Sequence, residues 1–207
     1  MDYIRNPQQI EKRSMEIVEE HLGRYSFDRF EKAVAKRVVH TTGDPSFAGI
    51  IAFNTGAAES GARTLAGGGR LHCDVEMVRA GINRRLAEVF GLTISCRIHD
   101  TEIAAVAKSN GSTRAAAAMS LAMAEQPENG IFVIGNAPTA LFVLLEAAAA
   151  GKVRPALVIG TPVGFVGAAE SKEWLTTFDF PWITIRGEKG GSTVAAAAVN
   201  ALLITAS

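Results

Sequence analysis

Ile131-Phe132-Val133-Ile134 runs into Gly135-Asn136-Ala137, an alanine- and leucine-rich run follows from Pro138 to Ala150, and a second apolar run occupies 156–159. A β-prone run closed by glycine, a proline suited to the first turn of a helix, and another β-prone run read as strand, helix, strand. The alternation repeats outward in both directions. Strands are expected near 70–73, 93–97, 131–134, 156–159 and 182–186, with 50–53 as a sixth candidate outside the five. Helices are expected at about 58–65, 82–90, 113–124, 138–150, 168–176 and 192–203. Such alternation signals a parallel sheet wrapped by helices. Two helices lead it. Ile10, Ile17, Val18 and Leu22 share one face of a helix over 7–22, and Phe27, Phe30, Val34 and Val38 mark a stripe on a second over 26–40. Alanine tetrads at 115–118, 147–150 and 195–198 would let helices lie close on the sheet. The expected class is α/β, with a mainly parallel five-stranded sheet, helices on both faces and two helices in front.

The length of 207 residues suits one domain, 1–207, with a full core. Apolar residues make up 48 % and charged residues 20 %, and no apolar run approaches the roughly 18 residues that span a bilayer. A soluble protein is expected. The first residues lack the basic-then-apolar pattern of a secretory signal, so the expected location is cytoplasmic. Lysine plus arginine equals aspartate plus glutamate at 21 each, which leaves no general nucleic-acid footprint. An acidic small ligand needs only a few local arginines. Cys73 and Cys96 sit in apolar runs without metal or redox spacing and are expected as buried free thiols.

Ligands of an open parallel sheet bind outside the carboxyl ends of the strands. The five expected strands exit into Asp74 and Glu76; into Arg97, His99 and Asp100; into Gly135-Asn136; into Gly160-Thr161-Pro162-Val163-Gly164; and into Arg186-Gly187 with Lys189-Gly190-Gly191-Ser192 beyond. Glycines permit close backbone approach, and helix N-termini offer free N–H groups, so this end reads as a carboxylate-binding rim. Each member also has a plainer reading. Asn136 and Ser192 suit helix caps, and Arg97 and Arg186 suit surface ion pairs.

On the first helix Ser14 falls within the apolar stripe with Arg13 on its flank, and on the second Arg37 and His40 share one side. A snorkelling arginine and a helix-terminal histidine are the plainer alternatives there. His21, His72 and His99 have no acid or thiol at ligand spacing, so no metal is expected. Gly67-Gly68-Gly69 lacks the lysine of a phosphate loop and reads as a turn.

Several of these segments resemble the precorrin-8X methylmutase family. The resemblance rests on Val39-His40-Thr41-Thr42-Gly43-Asp44, Cys73-Asp74-Val75-Glu76-Met77-Val78, Gly135-Asn136-Ala137-Pro138-Thr139-Ala140-Leu141, the block from Pro162 to Lys172, and Arg186-Gly187-Glu188-Lys189-Gly190-Gly191-Ser192. Ile50-Ile51-Ala52-Phe53 departs from the family pattern by being more apolar, which puts local loop geometry there in question. The resemblance implies a flavodoxin-like doubly wound domain and a homodimer with its active sites near the interface. It also implies migration of the ring C methyl from C11 to C12 of precorrin-8X, giving hydrogenobyrinate, with no external cofactor. His40 takes the place of the catalytic histidine, and Ser14 and Arg37 those of a substrate-contacting serine and arginine. Arg13, Arg97, Arg114, Asn136 and Arg186 extend the substrate-binding set from the rim.

A macrocycle fringed with carboxylate arms needs an apolar floor and scattered arginines, each charge-assisted hydrogen bond contributing roughly 1.5–3 kcal/mol. A suprafacial 1,5-shift of methyl is thermally allowed, so the protein has to supply orientation and a proton. Two other classes compete. A corrinoid carrier would use the same arginines without needing His40, and a nucleotide-binding module would want a phosphate loop where the sequence has Asp74 and Glu76.

Overall fold

The computed structural model describes residues 3–207. Helices α1 (Pro7–Leu22) and α2 (Arg29–Thr42) lead, followed by a 3-10 turn (Pro45–Gly49), β1 (Ile51–Phe53), α3 (Ala57–Ala66) and β2 (Gly69–Cys73). Then come α4 (Glu76–Gly81), α5 (Arg84–Val89), β3 (Leu92–Cys96), α6 (Ile103–Ser109), α7 (Arg114–Glu125) and β4 (Ile131–Ile134). The chain ends with α8 (Pro138–Ala149), β5 (Leu157–Gly160), α9 (Ala168–Leu175), β6 (Trp182–Ile185) and α10 (Ser192–Ala206).

The strands form one sheet in the order β1-β6-β5-β4-β2-β3. All pairings are parallel except β1 with β6, where Ile51 faces Ile185 and Phe53 faces Ile183. Alternation along the strands divides the core. Leu71, Cys73, Val133, Leu157, Ile159, Ile183 and Ile185 face one layer with α2, α3 and α10, while Phe132, Ile134, Val158 and Trp182 face the other with α7, α8 and α9. Burying each large side chain stabilises the fold by about 1.5–3 kcal/mol against leaving it exposed.

The sheet has six strands rather than five. Ile51–Phe53 becomes an antiparallel edge because Arg186 N–H donates to Ile50 O at 2.8 Å, which carries the ladder to where the chain leaves the 3-10 turn. The second helix starts three residues later than 26 because Asp28 caps it. Its carboxylate accepts Phe30 N–H and Glu31 N–H, and Glu31 answers by accepting Asp28 N–H. It ends at Thr42, where Gly43 takes the left-handed C-cap with φ 63°, so His40 lies in the last turn and not at the end. The helix expected over 82–90 is α5, two residues shorter at its start and one at its end. Ile82 is extended and Asn83 caps α5, and α4 and α6 have no counterpart in the expected set.

Two expectations about helix faces also change. Ile10 and Ile17 are exposed, so α1 buries only Val18 and Leu22. The alanines at 115–118 and 195–198 are buried, whereas at the end of α8 Ala147 and Ala148 are half-buried against the core and Ala149 and Ala150 are exposed. No helix among the described residues is long and apolar enough to cross a membrane.

Candidate functional site

Helices α1 and α2 pack as an antiparallel pair. Glu19 accepts from Lys36 at 3.1 Å and pairs with Lys32 as well, and these hydrogen bonds hold its carboxyl below the usual range. One turn further along the pair, Ser14 Oγ lies 3.0 Å from His40 Nδ1. The imidazole is exposed, so with Nδ1 engaged by Ser14 its Nε2 is the nitrogen left for a ligand. Arg37, one turn before His40, is half-buried and makes no ion pair among the described residues. It opens with Thr41 onto a groove of about 350 Å³ between α2 and α10, whose far wall includes Thr193 at the N-terminus of α10 and Asn200. That volume suits an arm of a large ligand and not a macrocycle.

The loops at the carboxyl ends of the strands bring some of the other expected residues near this group and leave others apart. Arg186 is exposed at the exit of β6, its backbone bonded to Ile50 just beyond the 3-10 turn that follows α2. Arg13 is exposed and pairs with Glu16 at 3.3 Å. Arg97, at the opposite edge of the sheet, is held by Asp100 at 2.6 Å and by Glu125 at 3.0 Å, and Arg70 shares Glu125 at 3.2 Å. Arg114 opens α7 beside the bond of 2.7 Å between Thr113 and Thr139, and it too is exposed. Asn136 projects its side chain outward at the turn into α8. Neither Asn136 nor Ser192 caps a helix; Ala137 and Gly191 stand at those positions.

The chain order reverses between β2 and β4, where doubly wound sheets place phosphates. Here the crevice is filled from within. The buried Asp74 carboxylate accepts Gly135 N–H at 3.0 Å, Asn136 N–H at 2.8 Å and Ala137 N–H at 2.7 Å. Burial raises this carboxyl above its ordinary value while the three N–H bonds pull the other way. Asp74 is therefore an internal cap and not a rim ligand, and it occupies the nest a phosphate would need.

The remaining histidines and cysteines do not join the site. His72 is buried between Ser95 at 3.0 Å and Gln126 at 3.2 Å, and burial lowers its pKa. Cys73 is buried but Cys96 is only half-buried, and both are free thiols whose pKa burial raises, that of Cys96 to about 11. Larger depressions of about 550 and 470 Å³ lie at the other end of the strands, around Arg154 and Asp179 and between α7 and α8, and neither borders an expected site residue.

Two lysines stand outside the expected set of site residues: Lys172, and Lys189, which the sequence places only on the rim. Lys172 is 1 % exposed, and its Nζ donates to Lys189 O at 2.6 Å; Lys189 Nζ in turn donates to Asp44 at 2.6 Å and Ser46 at 2.8 Å. Burial pushes the Lys172 ammonium down to about 8, and the hydrogen bond from Lys189 holds Asp44 at about 2. The signal for Lys172 was present: it sits between Ala168 and Leu175 on the apolar stripe of α9.

Comparison with known proteins places the chain as a whole. A family model described as precorrin-8X methylmutase matches residues 9–205. The cobalt-precorrin-8 methylmutase of Salmonella typhimurium (strain LT2) is 45 % identical over 208 residues, covering 98 % of this chain and 97 % of that protein. The precorrin-8X methylmutase of Pseudomonas aeruginosa is 40 % identical over 204 residues, covering 98 % and 97 %. A crystal structure of the precorrin-8X methyl mutase from Thermus thermophilus superimposes with a TM-score of 0.85 at 37 % identity, covering 95 % of this chain and 96 % of that one. With a match that runs from the first helix to the last, the chain belongs to the precorrin-8X methylmutase family.

Proposed function

We propose that this protein is an isomerase of cobalamin biosynthesis that moves the ring C methyl of precorrin-8X, or of its cobalt form, from C11 to C12 to give hydrogenobyrinate or cobyrinate. The observation that carries the reading is the Ser14–His40 pair beside Arg37 on one open surface, in a chain of this family. His40 gives a proton from Nε2 to a ring nitrogen of the tetrapyrrole. Electron density drawn toward that nitrogen lets the C11–methyl bond break as the C12–methyl bond forms. The proton gained is balanced by one lost elsewhere on the same ring system, so the product is an isomer and no external cofactor is consumed. Ser14 holds Nδ1 throughout, which fixes the ring plane and leaves the outer nitrogen for the substrate.

Arg37 takes a carboxylate arm in its groove, with Arg13, Arg97, Arg114, Asn136 and Arg186 as further contacts for the fringe. Arg97 enters this set only by giving up part of its hold on Asp100 and Glu125. We read the chain as one domain, 1–207, of flavodoxin-like kind. Without β1 the parallel strands run β3-β2-β4-β5-β6, which is the flavodoxin order. It acts in the cytoplasm as a homodimer. Support for the dimer comes from the exposed Ile10 and Ile17 on α1 and from Phe165 and Val166, 93 % and 88 % exposed, since a surface of that kind is seldom left to water.

A carrier that binds the corrinoid without changing it would need the arginines but not His40. Single-turnover absorbance with wild type and a folded His40→Asn variant separates the two. The variant is expected to lose at least about two orders of magnitude in rate, the scale of general acid catalysis, while still binding product. A wild-type rate in the variant removes the catalytic role of His40.

A further inference from the structure

We propose that Lys172 is a positioning residue for His40, acting through the loop of residues 186–191; this rests on the assignment of His40 above. The loop is fixed at four points. Lys172 Nζ donates to Lys189 O at 2.6 Å, Gly164 N–H donates to Glu188 O at 3.1 Å, Gly191 N–H donates to Thr161 O at 2.8 Å, and Lys189 Nζ donates to Asp44 and Ser46. Asp44 stands next to the Gly43 cap of α2. Its N–H donates at 3.3 Å to Thr42 Oγ1, which itself donates to Val38 O and Val39 O in the last turn. A continuous line of hydrogen bonds thus runs from the middle of α9, through the loop, to the helical turn that carries His40 and holds it against Ser14.

The loop needs such a tether. Gly187, Gly190 and Gly191 have φ of 74°, 157° and 122°, conformations that glycine adopts freely and that leave the segment without side chains to stiffen it. An apolar side chain would fill the site of Lys172 without desolvating a charge, yet the chain places an ammonium there, and among the described residues that ammonium makes no ion pair. What the ammonium gains is the carbonyl of Lys189, the residue whose own side chain reaches α2. The hold on α2 therefore depends on where Lys172 puts the loop, and a displacement of His40 by a fraction of an ångström is enough to slow proton delivery.

Two variants test this. Lys172→Met removes the donor at constant length, and Lys189→Ala keeps the backbone acceptor but cuts the tie to Asp44; the second change is at the surface, so it serves if the first does not fold. Amide hydrogen exchange should rise at least about tenfold at residues 39–43 in each variant while β4 and β5 keep wild-type protection. In single turnover with precorrin-8X each variant should lose between about tenfold and a hundredfold in rate with product affinity within about twofold of wild type. Placed on the His40→Asn background, neither should slow the reaction further, because the effect passes through His40. Unchanged exchange at residues 39–43, or losses that add fully to that of His40→Asn, would overturn the proposal. A His40→Asn variant that keeps the wild-type rate would instead sink the assignment of His40, and the exchange measurement would still decide whether the tether exists.

Discussion

Asp74 shows how one residue can decide what a site is not. Its carboxylate satisfies three backbone N–H groups at the turn between β4 and α8, so removing it leaves three donors without an acceptor, those of Gly135 and Ala137 buried. Asp74→Ala is expected to cost about 3–5 kcal/mol, and Asp74→Asn less because one oxygen is kept; urea denaturation midpoints measure both. Lys172 gives a prediction with a definite sign. Its folded pKa of about 8 lies below the ordinary 10.5, so between those values the unfolded chain binds more protons than the folded one, and stability rises with pH. From pH 7 to pH 10.5 wild type should therefore gain on the order of 2–3 kcal/mol relative to Lys172→Met. Equal slopes for the two proteins in denaturation across that range would mean the amine is not desolvated.

At the scale of elements, α10 matters through the place where it starts. A Cβ on Gly135 would lie 2.7 Å from Val78 Cγ2, 2.8 Å from Ser192 Cα and 2.9 Å from Ala195 Cβ, so Gly135→Ala must push α10 and α4 away from the end of β4. The expected cost is about 1–3 kcal/mol, read as a lower melting temperature, with weaker product binding because Thr193 moves from the groove it shares with Arg37. Much of this architecture was legible in the sequence. The β4–α8–β5 unit was clear because a fully apolar strand, a glycine turn and a proline-led helix each carry their own signal. Residues 50–53 were harder, since a three-residue edge strand is defined by its partner β6 and not by any pattern of its own. Helix α4 was hidden because the turn that ends it depends on Asn200, a residue far along the chain that accepts Asn83 N–H and donates to Gly81 O. The same reason applies to the site. Arg37 and His40 can be placed on one side of α2 from their spacing, but the meeting of His40 with Ser14 depends on how α1 docks, and the line from Lys172 to α2 crosses three elements.

For the whole molecule, the groove beside Arg37 is too small for a macrocycle, and the apolar residues of α1 and of the loop after β5 are left facing solvent. Light scattering at micromolar concentration is expected to give twice the chain mass of 21.9 kDa, and a monomer mass across that range would contradict the dimer. The most direct test of the account needs only the purified protein and precorrin-8X, mixed with no added cofactor, with the absorption spectrum and the mass of the pigment recorded together. Conversion to a new chromophore of unchanged mass is the expected result, since an isomerase adds and removes no atoms. A pigment that stays bound to the protein with its spectrum unaltered would contradict the account and mark the protein as a carrier.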